Sequence, residues 1–385
     1  MTQTDAVYTL LMAQNFTQEA AQRIPAALLE WFAKHRRDLP WRARYHPYEV
    51  WISEVMLQQT QMERGVAYFQ RWMERFPNVQ AVAEASEDEI MRYWEGLGYY
   101  RRARFLHQAA KAIMERHGGS IPSSQEDLAA LPGLGSYTAS AILGIAFEQD
   151  IVPVDANVER VFSRLLDLDS PVKKKPASDI INGEAQRLLP AGHARNYDQA
   201  LMEFGALVCG KAPKCQECPL TTWCASFQNG TQKIRPVTAA RAETIPVTAA
   251  HGILICEKHV LLLQRDTSGL WGNMWEFPGA DSNAHSPQQT VIRRFSDLGL
   301  DIEIIAPLGM VRHSYTNHRL TAHFFRVALE EKRSLKELSD ILSGIPHRFI
   351  RWDNTDEAAM PAHHRKMAKR YFSSNPRTTA EQLHL

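Results

Sequence analysis

Residues 128–147 read LAALPGLGSYTASAILGIAF. Apolar residues recur at helical spacing on both sides of Pro132, Gly133, Leu134 and Gly135, so the stretch predicts a helix, a tight turn and a second helix beginning near Tyr137. Gly133 and Gly135 let the turn take positive φ and, lacking side chains, let another backbone come close. N–H groups exposed at such a helix start make a ready anion site, suited to a DNA phosphate. A plain helical hairpin gives the same signal, so the turn alone does not separate phosphate binding from packing.

Working outward, the chain from Ile24 to Cys224 reads as successive amphipathic helices, among them AALLEWFAKH, VAYFQRWMERF and DEIMRYW, divided by Gly and Pro. An all-α domain over 24–228 follows. Residues 229–249 are polar, contain Pro and lack periodicity, as expected of a linker between two folding units, and protein contacts could be made there. Beyond them HGILICEKHVLLLQR reads as a β-hairpin, SPQQTVIRRFSDLGL as a helix, and DIEIIAPLGM and LTAHFFRVAL as strands, giving an α+β domain over 250–375.

A chain of 385 residues with 44% hydrophobic and 23% charged residues buries ordinary cores and excludes a disordered protein. Lys and Arg number 44 against 43 for Asp and Glu, so global charge neither supports nor excludes a nucleic-acid partner. The opening MTQTDAVYTLLMAQNF lacks a signal-peptide pattern, and no segment is apolar for the ~20 residues of a membrane span. The expectation is a cytosolic monomer without membrane contact, lying at the nucleoid if the source is bacterial.

Two carboxylates stand out. Glu54, in VWISEVMLQQTQ, is surrounded on a helix by Trp51, Val50, Val55 and Leu57, and desolvation there raises its pKa towards that of a general acid for glycosidic cleavage. A structural Glu would fit the same local pattern. Asp155 lies between the strand-like run IVPV and the helical ANVERVFSRLL, a natural N-cap whose pKa the helix dipole and N–H groups should lower. Capping alone would account for it, yet one carboxyl held as acid and one as anion also make a catalytic pair.

Four of the five cysteines, Cys209, Cys215, Cys218 and Cys224, fall in one short stretch, with Cys256 apart. Such a cluster points to metal ligation in a reducing compartment. Four close thiolates suit a 4Fe-4S cluster or a tetrahedral zinc site, and the absence of paired CxxC knuckles favours the cluster.

PGLGSYTASAI followed by VDANVERV resembles the helix-hairpin-helix and Asp signature of the endonuclease III superfamily of DNA glycosylases. Within it, WISEVMLQQTQ, GLGYYRRAR and LPWR look like the MutY-type adenine DNA glycosylases. The resemblance runs from Ile24 through the C-terminal domain. It implies that Glu54 protonates adenine N7, that Asp155 stabilises the oxocarbenium-like sugar, and that Asn157 helps position these groups. Superfamily members that also cut the strand carry a Lys where this chain has Tyr137, which predicts a monofunctional enzyme with Tyr137 beside the Asp.

The resemblance further implies base flipping. Gln59 and Tyr99 would wedge into the duplex, Thr60 would contact the opposing oxidised guanine, and Arg42, Trp41 and Glu203 would line the adenine pocket. The substrate implied is duplex DNA with adenine opposite 8-oxoguanine or guanine. Against the family pattern the first cysteine loop is one residue short, which bears on Lys211 and Lys214, candidates for phosphate contacts.

HVLLLQR with GLWGNMWEFPG resembles the start of a Nudix fold, but VIRRFSDLGL stands where the metal-binding Glu residues of a Nudix hydrolase belong, so recognition without nucleotide hydrolysis is expected. Tyr315, Thr316 and Asn317 occupy the family's 8-oxoguanine loop, with Asn in place of the usual His. Two other classes remain: a DNA reader without catalysis, and a glycosylase of different specificity.

Overall fold

In a computed structural model the described residues are 16–238, 243–282 and 285–373. Along the chain the α-helices among the described residues begin with α1 (Gln18–His35), α2 (Pro47–Leu57), α3 (Met62–Arg75), α4 (Val79–Glu84), α5 (Glu87–Trp94) and α6 (Arg101–His117). They continue with α7 (Gln125–Ala129), α8 (Ser136–Ala141), α9 (Ala156–Leu165), α10 (Ala177–Arg187), α11 (Ala194–Leu207) and α12 (Ala225–Gln228). Contacts gather the chain into two units, residues up to 84 with 105–240, and residues 85–104 with 241 onward.

The first unit holds helices and no strand among its described residues. α1 starts ahead of Ile24, at a cap in which the Thr17 hydroxyl accepts from the Ala20 N–H at 3.2 Å. Ile24, Leu28 and Phe32 of α1 bury against Val158, Phe162 and Leu165 of α9 and Leu201 and Phe204 of α11. The run 151–154, read as strand-like, is irregular; its apolar Val152 and Val154 pack against this core without joining a sheet. α2 is buried from Tyr48 to Met56 except at Glu49, so its one internal carboxylate, Glu54, is carried into the interior.

The second unit is built on a seven-stranded sheet ordered β3-β2-β1-β6-β5, with β4 on β1 and β7 on β2. The strands are β1 (Ile245–Cys256), β2 (His259–Gln264), β3 (Trp275–Glu276), β4 (Gly279–Asp281), β5 (Ile302–Tyr315), β6 (His318–Leu329) and β7 (His347–Arg351). Three further helices are α13 (Pro287–Asp297), α14 (Leu335–Ile341) and α15 (Ala362–Ser373). β1 therefore takes in residues 245–249 of the expected linker, because they pair in parallel register with β6, Ile245 opposite His318. Part of that linker, residues 239–242, lies outside the described residues, and Thr231 and Arg235 are tied to Asp167 at 2.5 and 2.9 Å.

Side chains alternate between the two sheet faces with period two. Ala249 and Ile253 of β1 and Val260 and Leu262 of β2 join Met367, Ala368 and Phe372 of α15 in one core. Their neighbours Ala250, Leu254, Leu261 and Leu263 join Val291 and Phe295 of α13 and Leu338 of α14 in another. β5 slips register at Ala306 and again at Gly309, on either side of Pro307, which has no N–H to give a ladder. Residues 85–104, expected in the helical domain, make their bonds inside this unit: Asp88 receives Trp275 Nε1 at 3.2 Å and Arg348 at 3.1 Å, and Glu95 receives Arg365 at 2.5 and 2.9 Å. Among the described residues no helix is long and apolar enough to cross a membrane.

Candidate active site

The turn after α7 places Gly133 at φ +76°, as expected, and the close approach there is that of a side chain, a Cβ on Gly133 meeting the Cβ of Phe105 at 2.5 Å. Gly135 is the N-cap of α8, with open space where a side chain would stand. This start of α8 brings Tyr137 to the wall of a cavity of about 690 Å³. Glu54, Asp155, Asn157, Trp41, Arg42, Gln59, Thr60 and Glu203 line the same cavity.

Glu54 is 9% exposed, and burial pushes its carboxyl up to about 7, with the Asp155 charge adding to the rise. The Tyr137 hydroxyl donates to Glu54 Oε2 at 3.0 Å and opposes it. The tyrosine hydrogen-bonds the Glu, and the Asp155 charge also acts on it in the same cavity.

Asp155 is the N-cap of α9, accepting from the N–H groups of Asn157 and Val158 at 2.8 Å each and from Asn157 Nδ2 at 2.7 Å. Its pKa is nevertheless raised, correcting the fall expected from capping: desolvation outweighs the three hydrogen bonds and the nearby Arg160 that favour the anion.

Behind Asp155 stands a network the sequence did not reveal. Arg160 donates to Asn157 Oδ1 at 2.9 Å, Gly205 O at 2.6 Å and Cys209 O at 2.8 Å. Arg164, one turn on, donates to Cys209 O at 3.1 Å, Cys209 Sγ at 3.3 Å and Gly210 O at 2.7 Å. One face of α9 therefore orients Asp155 through Asn157 and holds the cysteine loop. A Cβ on Gly205 would stand 2.7 Å from that of Asn157, so glycine lets the helices close there. Their i, i+4 spacing was the only signal for this pair.

Arg42 pairs with Glu203 and donates to Gln199 at 2.7 Å, while the Arg37 N–H reaches Glu203 at 2.7 Å. Gln199 and Arg37 also line the cavity and were not foreseen. Asp198 is 1% exposed with no hydrogen-bond partner for either oxygen, and burial, with the Glu54 and Asp150 charges, pushes its carboxyl well above the usual carboxylate range.

Cys209, Cys215, Cys218 and Cys224 are all half-buried and none is in a disulfide. Four cysteines free of disulfides on one loop are the donor set that a 4Fe-4S cluster takes from a protein. Arg164 and the Leu220 N–H, 3.4 Å from Cys218 Sγ, supply donors to sulfur that a thiolate-ligated cluster uses. Lys211 and Lys214 are exposed on the first loop.

The remaining predicted residues belong to the other unit. Tyr99 is 50% exposed at φ +49°, and Gln59 in the first unit is likewise exposed at φ +57°. Such backbone is uncommon for these residue types. Tyr315, Thr316 and Asn317 form the β5–β6 turn, with Tyr315 stacked on His318 at 5.0 Å and Asn317 Nδ2 donating to Glu243 O at 3.1 Å. α13, at the Nudix metal position, carries no Glu.

The family of HhH-GPD superfamily base excision DNA repair proteins matches residues 52–183, and the NUDIX domain family matches residues 250–370. The adenine DNA glycosylase of Rattus norvegicus is 31% identical over 89% of this chain and 77% of its own length. That of Buchnera aphidicola subsp. Baizongia pistaciae is 33% identical over 65% of this chain and 72% of its own. A solved thermostable thymine-DNA glycosylase superposes with TM-score 0.50 at 25% identity, over 55% of this chain and 98% of that one. With two buried carboxyl groups, Glu54 and Asp155, on one cavity wall and this likeness in both units, the chain belongs to the adenine DNA glycosylases, enzymes of base excision repair that act on DNA and break the N-glycosyl bond of adenine.

Proposed function

We propose that this glycosylase removes adenine paired with 8-oxoguanine or guanine, leaves an abasic site, and carries no strand-cleaving step. The observation that carries the reading is Glu54, desolvated to a pKa of about 7 on a cavity wall shared with Asp155. Near neutral pH a large fraction of Glu54 is the acid, able to donate to N7 of a flipped adenine held between Trp41, Arg42 and Glu203. The C1′–N9 electron pair leaves with the protonated base. Asp155, whose three hydrogen bonds support the carboxylate against the burial that raises its pKa, offsets the positive charge on the sugar until water adds to C1′ and releases a proton. Asn157 positions that carboxylate, and Tyr137 orients Glu54.

A lyase step needs a desolvated amine at C1′. Tyr137 supplies none, and Lys173, the lysine among the lining residues, is exposed. Cys209, Cys215, Cys218 and Cys224 would hold a 4Fe-4S cluster, and Gly133, Gly135, Lys211 and Lys214 would meet phosphates. Gln59 and Tyr99 fill the gap left by the flipped base, each stacked base being worth about 1–3 kcal/mol. Thr60 and the Tyr315-Thr316-Asn317 turn read the 8-oxoguanine strand, while α13 without Glu leaves nucleotide hydrolysis out. The protein works as a monomer in the cytosol.

The test is excision on duplexes carrying A opposite 8-oxoguanine, A opposite G and T opposite G, scored with and without alkali, for the wild type and Glu54→Gln. Alkali-dependent breakage at A, lost in the variant, is expected. Breakage without alkali would overturn the monofunctional reading and direct attention to Lys173; binding without excision would overturn catalysis.

A further inference from the structure

The sheet face beneath α15 carries a cluster that adenine excision does not use. His251 of β1 and His363 and His364 of α15 are 4%, 2% and 0% exposed. One ring nitrogen from each lies within 4.8 Å of the other two, the one such group of histidine, cysteine or carboxylate donors among the described residues. The alternation of β1 puts His251 on the same face as Ala249 and Ile253, directly under the helix that brings the other two.

Buried polar atoms are almost always hydrogen-bonded. Here His251 Nε2, His363 Nδ1 and His364 Nε2 all lack a hydrogen-bond partner. His251 Nδ1–H donates to the Phe277 carbonyl at 3.2 Å, which leaves the lone pair on Nε2, the arrangement by which a backbone carbonyl orients a metal-binding imidazole. A Cβ on Gly279 would stand 2.1 Å from His251 Nδ1, so the glycine makes room for the ring. Burial keeps all three rings neutral, His251 falling to about 3 and the other two well below the usual range, with Arg265 and Lys366 contributing. Neutral imidazole is the form that binds metal. Glu276 Oε2, 3.6 Å from His364 Nε2, places a carboxylate beside the trio.

We propose that His251, His363 and His364 bind a divalent cation of borderline softness, Zn²⁺ by its affinity for imidazole, as a structural site joining α15 to the sheet of the C-terminal unit. One adjustment goes with loading. The Phe277 N–H reaches His364 Nδ1 at 3.3 Å, and a metal on Nε2 moves the ring proton to Nδ1 and opens that single long contact. This site is independent of the glycosylase reading.

The experiment uses the full chain with its cysteines loaded with iron, titrated with Co²⁺ as the spectroscopic probe and then with Zn²⁺. One Co²⁺ per chain is expected, with visible d–d bands, without thiolate-to-cobalt charge transfer, and displaced by Zn²⁺. His251→Gln and His363→Gln each lose this ion, and His313→Gln keeps it. X-ray absorption of the zinc-loaded wild type, which needs no variant to fold, should show nitrogen neighbours at about 2.0 Å and no sulfur. A wild type that binds no Co²⁺, a sulfur shell around the added zinc, or full binding by folded His363→Gln would overturn the site.

Discussion

The cavity of the helical unit and the histidine cluster of the C-terminal unit both bury titratable groups, and in both desolvation favours the neutral form. Glu54 rises to about 7 and His251 falls to about 3. They differ in access. Glu54 faces an opening of about 690 Å³ and takes a hydrogen bond from Tyr137, whereas His251 and His364 are closed in by Phe277 and Phe324. A perturbed ionisation therefore does not by itself name a chemistry. A neutral acid on an open wall can pass a proton to a base-sized guest, while neutral rings in a closed core have lone pairs for an ion and nothing larger.

The comparison breaks first at Glu54. Glu54→Gln keeps the volume and removes the proton, so single-turnover excision should fall by about 10²–10⁴; a smaller loss would mean the proton comes from elsewhere. Asp155→Asn retains the backbone contacts but removes the anion, and a loss of about 10²–10³ is expected in the same assay. For the wild type, the rate constant should fall progressively as pH rises through about 7, since the acid form is the working one.

Stability sharpens the contrast. Glu54 binds its proton more tightly when folded than the ordinary value of 4.5 allows, so its burial costs stability as pH rises from 4.5 towards 7, and the cost is fully present above that. Glu54→Gln should therefore raise the unfolding free energy at pH 8 by up to about 3 kcal/mol, with little gain at pH 4; thermal scans at both values check this. The smallest effect belongs to the turn. Asn317 already gives its amide to Glu243 O, and Asn317→His should change the preference for 8-oxoguanine over guanine by roughly ten-fold or less, about 1 kcal/mol.

Much of the first unit was legible because its signals are local. Helical periodicity, the PGLG turn and the placing of Asp155 at a helix start depend on residues within a few positions of one another. The burial of Glu54 was legible for the same reason: its own helix is apolar nearly all round. The pKa of Asp155 was not, because the sum of desolvation against three hydrogen bonds depends on what packs over it. Residues 85–104 are as helical as their neighbours, and it is long-range contacts, such as Glu87, Asp88 and Glu95 meeting Asn273, Trp275 and Arg365, that assign them to the other unit.

The sequence by itself determined the two-part architecture, the acid and its apolar helix, the cysteine set and the glycine turn, all of which rest on spacing along the chain. Tertiary structure alone decided that Tyr137 bonds Glu54, that Arg160 and Arg164 tie Asp155 to the cysteine loop, and that His251 meets His363 and His364. Those pairings join residues tens to more than a hundred positions apart, and their energies come from desolvation and lone-pair geometry, which exist only once the elements have packed.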